Sequence, residues 1–288
     1  MTAMLVITGR DPAAPAVREA ARAAGARELR PLGPDAAEAA LPDLDPERLA
    51  RARAALGPEG DANLVPVEGR EKRVLLADMD GTMIGVECID EIAAVAGVGA
   101  KVAGITEAAM RGELDFEAAL TARAALLAGF DAALLETVYE TRVRLNPGAA
   151  TLVRTMAKRG AATALVSGGF TFFTERVAAA AGFAEHHANV LEVAEGRLTG
   201  CVVPPILGRE AKAQRLRALC AARGLATSAA LAVGDGANDL AMVRAAGLGA
   251  AYRAKPALAA EADALIERSD LTALLHLQGV PREAWVVA

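Results

Sequence analysis

Aromatic side chains make up only 3% of this 288-residue sequence, with a single Trp. Any core must therefore be assembled from small aliphatics. A hydrophobic content of 53% supplies enough of them for one large domain or two modest ones. Cysteine is scarce too: Cys88, Cys201 and Cys220 form no CxxC pair and leave an odd thiol. With only 3 His and no clustered ligands, a structural zinc site is excluded. Basic charge is not in excess either. The 31 basic and 36 acidic residues leave a net charge of −5, without a long Lys/Arg run. No nucleic acid is expected as a partner, because backbone phosphates are held mainly by clustered cations. No stretch approaches the roughly 18 uncharged apolar residues that suggest a membrane span. The opening MTAMLVITGRD lacks the basic and long apolar regions of a secretory signal. These absences make a reducing cytoplasm the default location.

What is present falls into two parts. Residues 1–69 read as an N-terminal extension, with a strand at 4–8 and a helix at 15–24 that stops at Gly25. Asp45-Pro46-Glu47 has an Asp cap, Pro at the first helical position and an acid in the first turn, so a helix should run from there to Leu56. The Gly, Pro and charge of residues 57–73 suit a linker. Residues 70–288 read as α/β. Apolar runs at 74–77, 162–166 and 229–233 each end in a polar or Gly-rich loop and then a helical stretch. That alternation predicts a doubly wound parallel sheet buried on both faces. An almost wholly helical insertion, about 86–145, is expected to cap the carboxyl ends of the strands, where ligands bind in open α/β sheets.

The chemistry sits at those strand ends. In VLLADMDGT, Asp78 and Asp80 are two apart, so in extended chain their carboxylates share a face. Two carboxylates that close repel unless a cation or a shared proton intervenes. Magnesium, a hard oxygen-seeking ion, would resolve the conflict. Spacing alone proves little: Asp43-Leu44-Asp45 has it too, without a buried strand before it or Gly-Thr after it. In LVSGGF, Ser167 offers a hydroxyl, and Gly168 and the next glycine let backbone N–H groups approach an anion at a helix start. In VGDGANDL, Asp235, Asn238 and Asp239 exceed what helix capping needs and suit metal ligation and its support. Lys212, taken alone, reads as one cation on a solvated helix face.

DMDGT, LVSGG, Lys212 and GDGAND, in that order, resemble the four motifs of the haloacid dehalogenase-like phosphatases, over roughly 200 residues. The resemblance implies that Asp78 is a nucleophile that becomes phosphorylated, and that Asp80 is the general acid and base. It implies phosphoryl contacts from Ser167, Gly168, Asn238 and Lys212. Magnesium would be bound by Asp78, the Asp80 backbone carbonyl and Asp235, with Asp239 in support. Within that group, GVECIDEIA and MRGELDFEAALTARAALLAG are similar to the phosphoserine phosphatases. There the equivalents of Glu87 and Arg123 hold the ammonium and carboxylate of O-phospho-L-serine, while those of Met110 and Phe116 line the pocket. One acid for an amine and one Arg for a bidentate carboxylate is what a phosphorylated zwitterion calls for. Phosphohomoserine is the alternative substrate. Gly81 stands where many relatives carry Ser. The extension resembles the family's variable N-terminal segment, in some members an amino-acid-binding (ACT-like) regulatory domain, and a homodimer is compatible with the family.

Overall fold

The structure is a computed structural model that describes residues 2–110 and 113–287. Its first part runs β1 (Ala3–Thr8), α1 (Pro15–Ala23), β2 (Arg30–Pro31), β3 (Ala36–Leu41), α2 (Pro46–Leu56) and β4 (Asp61–Pro66). Both helices carry Pro in the first turn, and the Asp45 carboxylate accepts the Glu47 N–H at 2.9 Å. The strands pair antiparallel in the order β2-β3-β1-β4. Leu5 and Ile7 of β1 meet Val17, Ala20, Ala52 and Leu56 of the helices in one apolar cluster.

Two of these strands depart from the sequence reading. Residues 57–73, expected as a linker, contain β4, which zips along β1 from Asp61 to Pro66. Its Gly and Pro neighbours lie outside or at the end of the strand, so nothing in the ladder is broken. Nothing in AAEAAL signals β3, since Ala favours helix. Pairing of all six of its residues with β1 overrides that preference.

The second part runs β5 (Val74–Ala77), α3 (Cys88–Val95), α4 (Gly99–Met110), α5 (Phe116–Ala125), α6 (Ala133–Arg142), α7 (Ala149–Lys158) and β6 (Ala162–Phe170). It continues with α8 (Thr171–Ala181), β7 (Glu185–Ala194), β8 (Arg197–Val203), α9 (Arg209–Ala222) and β9 (Ala230–Gly234). It ends with α10 (Leu240–Ala245), β10 (Leu248–Tyr252), α11 (Pro256–Ala259), β11 (Ala264–Ile266) and α12 (Ala273–Leu277). The sheet order is β11-β10-β9-β5-β6-β7-β8, parallel except for β8 at one edge. The expected doubly wound α/β core is therefore present. Strand residues alternate between its two sides: Leu75, Leu165 and Val233 pack with Val153 and Phe173, while Val74, Leu76 and Val166 pack with Leu216 and Val243.

Helices α3 to α6 make up the insertion between β5 and β6. The chain leaves the core at Ile84 and returns at Leu145, and these two residues bridge antiparallel. Next to the bridge, Asn146 donates its side-chain amide to the Thr82 carbonyl and its own N–H to the Met83 carbonyl, both at 2.8 Å.

The two sheets meet edge to edge through side chains. Asn63 on β4 donates to the Leu265 carbonyl at 2.9 Å and accepts the Leu265 N–H at 2.8 Å, so its amide stands in for a neighbouring strand beside β11. The buried Asp61 carboxylate accepts three successive N–H groups, those of Glu267, Arg268 and Ser269. Glu38, buried in β3, is held by Arg30 and by Arg70 at 2.8 Å, whose own fork reaches the Leu277 and His276 carbonyls. Val6 and Val65 belong to the same apolar cluster as the large sheet.

Candidate active site

Where β5 ends, the chain turns sharply: the Met79 carbonyl accepts the N–H groups of Thr82, Met83 and Ile84. This turn aims Asp78 and Asp80 into one cleft at the carboxyl ends of the strands. Asp78 Oδ1 receives the Lys212 ammonium at 2.7 Å and the Met79 N–H at 2.8 Å. Its other oxygen, Oδ2, has only the Asn238 amide among the described residues, at 3.4 Å. One oxygen is tied back and the other is left for chemistry.

Lys212 differs from its sequence reading. The helix face it occupies is not solvated: the residue is 1% exposed, and its ammonium bridges Asp78 and Asp239, each at 2.7 Å. Burial works against that charge, yet Asp78 and Asp239 outweigh it and hold the ammonium's pKa above its ordinary value. Asp239 also accepts the N–H groups of Asp235 and Gly236, so it braces the loop after β9.

Ser167 and Gly168 lie within β6 and not after it, at a register shift against β7 between Val166 and Phe170. Ser167 Oγ accepts the Gly169 N–H at 2.9 Å, and Asn189 fastens the loop by donating to the Gly168 carbonyl. The Phe116 ring sits so close over Gly168 that a Cβ there would meet it at 2.9 Å. Gly81 has φ +70°, and a Cβ on it would lie 2.6 Å from Asp235 Oδ2. In this chain that position is glycine because the backbone is left-handed and Asp235 crowds it.

These groups line a cavity of about 310 Å³. Asp78, Asp80, Glu87, Phe116, Arg123, Ser167, Gly168, Asp235 and Asn238 all reach it. Lys212 and Asp239 stand behind its wall. Met110 closes α4, and its side chain lies outside the described residues. Sequence reasoning passed over Asp90, Thr106 and Lys255, which also face the cavity. Asp90 is one helical turn from Glu87 and so stood close to a signal already noticed.

The crowding of acids shows in their pKa values. Burial, reinforced by Glu87, pushes Asp80 up to about 7, and burial with Asp239 pushes Asp235 up to about 6. Burial and Asp239 also drive Asp78 upward, against the pull of Lys212. Asp80 Oδ1 is buried without a hydrogen-bond partner among the described residues. Oxygens of Asp78, Asp235 and Asp239 lie within 4.8 Å of one another. Such an all-oxygen set suits a hard divalent cation. Arg123 is shifted down by its burial and supported by Asp90 and Glu87.

Two aspartates, a buried lysine between acids and a cluster of carboxylate oxygens thus meet at the carboxyl ends of the parallel strands. The haloacid dehalogenase-like hydrolase family matches residues 75–244, and the chain belongs to that family. Within it, the chain is similar to phosphoserine phosphatases. The one from Streptomyces coelicolor is 45% identical over 235 residues, which span 82% of this chain and 57% of the relative. The one from Polaromonas sp. is 47% identical over 210 residues, 71% of this chain and 89% of that protein. A crystal structure of a probable phosphoserine phosphatase from Vibrio cholerae, in unliganded form, superimposes with a TM-score of 0.81. It is 31% identical, over 98% of this chain and 88% of that one. Among the described residues no helix is long and apolar enough to cross a membrane.

Proposed function

We propose that the chain hydrolyses O-phospho-L-serine to L-serine and phosphate through an aspartyl phosphate on Asp78. The observation that carries this is the split environment of Asp78. Oδ1 is held by Lys212 and the Met79 N–H, while Oδ2 faces a cavity with Asp80 beside it.

Asp78 Oδ2 attacks phosphorus as the ester P–O bond breaks, and protonated Asp80 gives its proton to the departing serine oxygen. A pKa of about 7 keeps a usable fraction of Asp80 protonated near neutrality. Water then attacks the phosphorus of the aspartyl phosphate, Asp80 takes the proton, and the P–O bond to Asp78 breaks. The Ser167 hydroxyl and the backbone around Gly168 and Asn238 are placed to receive phosphoryl oxygens. Lys212 pulls Asp78 toward its ionised form, against burial and Asp239, and fixes its direction.

Magnesium fits the oxygen donors of Asp78, Asp235 and the Asp80 backbone carbonyl, with Asp239 as support, and when bound it supplies charge neutralisation for the phosphoryl group. Burial raises Asp80 and Asp235, with Glu87 and Asp239 adding to it, and a divalent cation would favour their ionised forms. Glu87 and Arg123 would take the ammonium and carboxylate, closed over by Phe116. Phosphohomoserine is the nearest competing substrate, because this pair does not measure side-chain length.

The test is phosphate release from phosphoserine, phosphohomoserine, phosphothreonine and glucose 6-phosphate, with and without magnesium. Magnesium-dependent turnover favouring phosphoserine is expected. Comparable rates on the sugar phosphate would remove the amino-acid reading. The same proposal divides the chain at residue 69. The first segment has an apolar cluster of its own, and calorimetric titration of serine into the full chain would test it as a sensor.

A further inference from the structure

The cavity has a charge problem that the residues named so far leave open. Five carboxylates face it: Asp78, Asp80, Glu87, Asp90 and Asp235. Lys212 cannot serve it freely, because that ammonium is 1% exposed and already spans two carboxylates behind the wall. Among the described residues, the cations that reach the cavity are Arg123 and Lys255. Arg123 comes from the cap, where Glu87 and Asp90 also sit. Lys255 comes from the opposite side, beside Asp235.

Three observations indicate that Lys255 is delivered there. Its backbone N–H donates to the Asp235 carbonyl at 2.8 Å, so its origin is tied to the loop after β9. Lys255 stands at the N-cap of α11, where an ammonium has no acceptor to offer the helix, so its side chain is left for another partner. Two residues earlier Arg253 has φ +44°, a left-handed conformation that a side chain of this kind rarely adopts. Strain of this sort persists where the surrounding structure requires it, and it concentrates at binding and catalytic loops. The side chain is 65% exposed and its ammonium lies 3.9 Å from Asp235 Oδ2, near enough to feel that carboxylate and free enough to swing from it.

We propose that Lys255 is a further phosphate-contacting residue, which moves its ammonium from Asp235 onto the phosphoryl oxygens when the ester binds. The inference rests on the phosphatase reading above. In this role Lys255 serves the phosphate end of the ligand, common to every phosphomonoester, as Arg123 serves the amino-acid end.

The test compares the full-length parent with Lys255→Met and Lys255→Arg. Inorganic phosphate is titrated calorimetrically into each in the presence of magnesium, and KM is measured for phosphoserine and p-nitrophenyl phosphate. For Lys255→Met, phosphate affinity should fall about tenfold, in the range of one charge-assisted hydrogen bond. KM should rise comparably for both esters, with kcat within about twofold. Lys255→Arg should restore most of the affinity. Unchanged phosphate binding overturns the proposal. So does a KM effect confined to phosphoserine, which would move Lys255 to the amino-acid end. A weaker magnesium response with unchanged phosphate affinity also overturns it, leaving Lys255 as a partner of Asp235 alone. The phosphate titration needs no turnover, so its result stands apart from failure of the parent to hydrolyse either ester.

Discussion

Asp78 and Lys212 define each other: the ammonium stays charged because the carboxylate is there, and the carboxylate keeps one oxygen turned inward because the ammonium is there. Asp78→Asn should abolish phosphate release while circular dichroism and the melting transition remain those of a folded protein. Asp80 offers a test of linkage. Its pKa rises from the ordinary 3.8 to about 7 on folding, so the folded state holds this proton more tightly than the unfolded chain. Keeping the carboxylate therefore costs stability progressively as pH rises from about 4 to about 7, and no more above that. In EDTA, the melting temperature of Asp80→Asn should gain on the parent across that window and then run parallel. A gap that shrinks with rising pH would refute the shift. Arg123→Ala should raise KM for phosphoserine by about tenfold or more and spare p-nitrophenyl phosphate. Equal losses on both would make Arg123 structural. Asp78, Asp80, Asp235 and Ser167 were legible because each stands close behind a short apolar run that the sequence marks plainly. The burial of Lys212 was not, because its helix is locally hydrophilic and one partner, Asp239, is 27 residues away.

Among the elements, the connection between core and cap carries the largest mechanical demand. Both crossings pass Asn146, which binds the Thr82 and Met83 carbonyls at the end of the turn that aims the catalytic aspartates. Asn146→Ala removes the side-chain bond and should destabilise the protein by about 1 kcal/mol. Its larger effect should be on kcat, read by steady-state rates at saturating phosphoserine, with the melting temperature only slightly lowered. The helical insertion and the strands β5, β6 and β9 could be read from sequence. Each of these strands is a short apolar run that ends in a polar or Gly-rich loop, whereas β7, β10 and β11 were not read. Nor could β3 and β4 be read. Alanines carry no β signal, and the polar residues of Asp61-Ala62-Asn63 that made β4 look like a linker are spent on contacts more than 200 residues away.

At the scale of the molecule, the two sheets are joined by buried polar bonds and a shared apolar cluster, so a single unfolding transition is expected. Asp61 answers three backbone N–H groups of the opposite part, and Val6 and Val65 share its apolar cluster. Asp61→Ala would orphan those donors and should cost about 3 kcal/mol, with calorimetry still giving a single transition. Two separated transitions in the parent would show that the parts unfold independently. The amide of Asn63 has another consequence. β11 is the last strand of the large sheet, and an open last strand is where foreign chains pair and aggregates begin. By filling both hydrogen-bonding positions of Leu265 with a side chain that cannot propagate a ladder, the protein closes that border against self-recruitment.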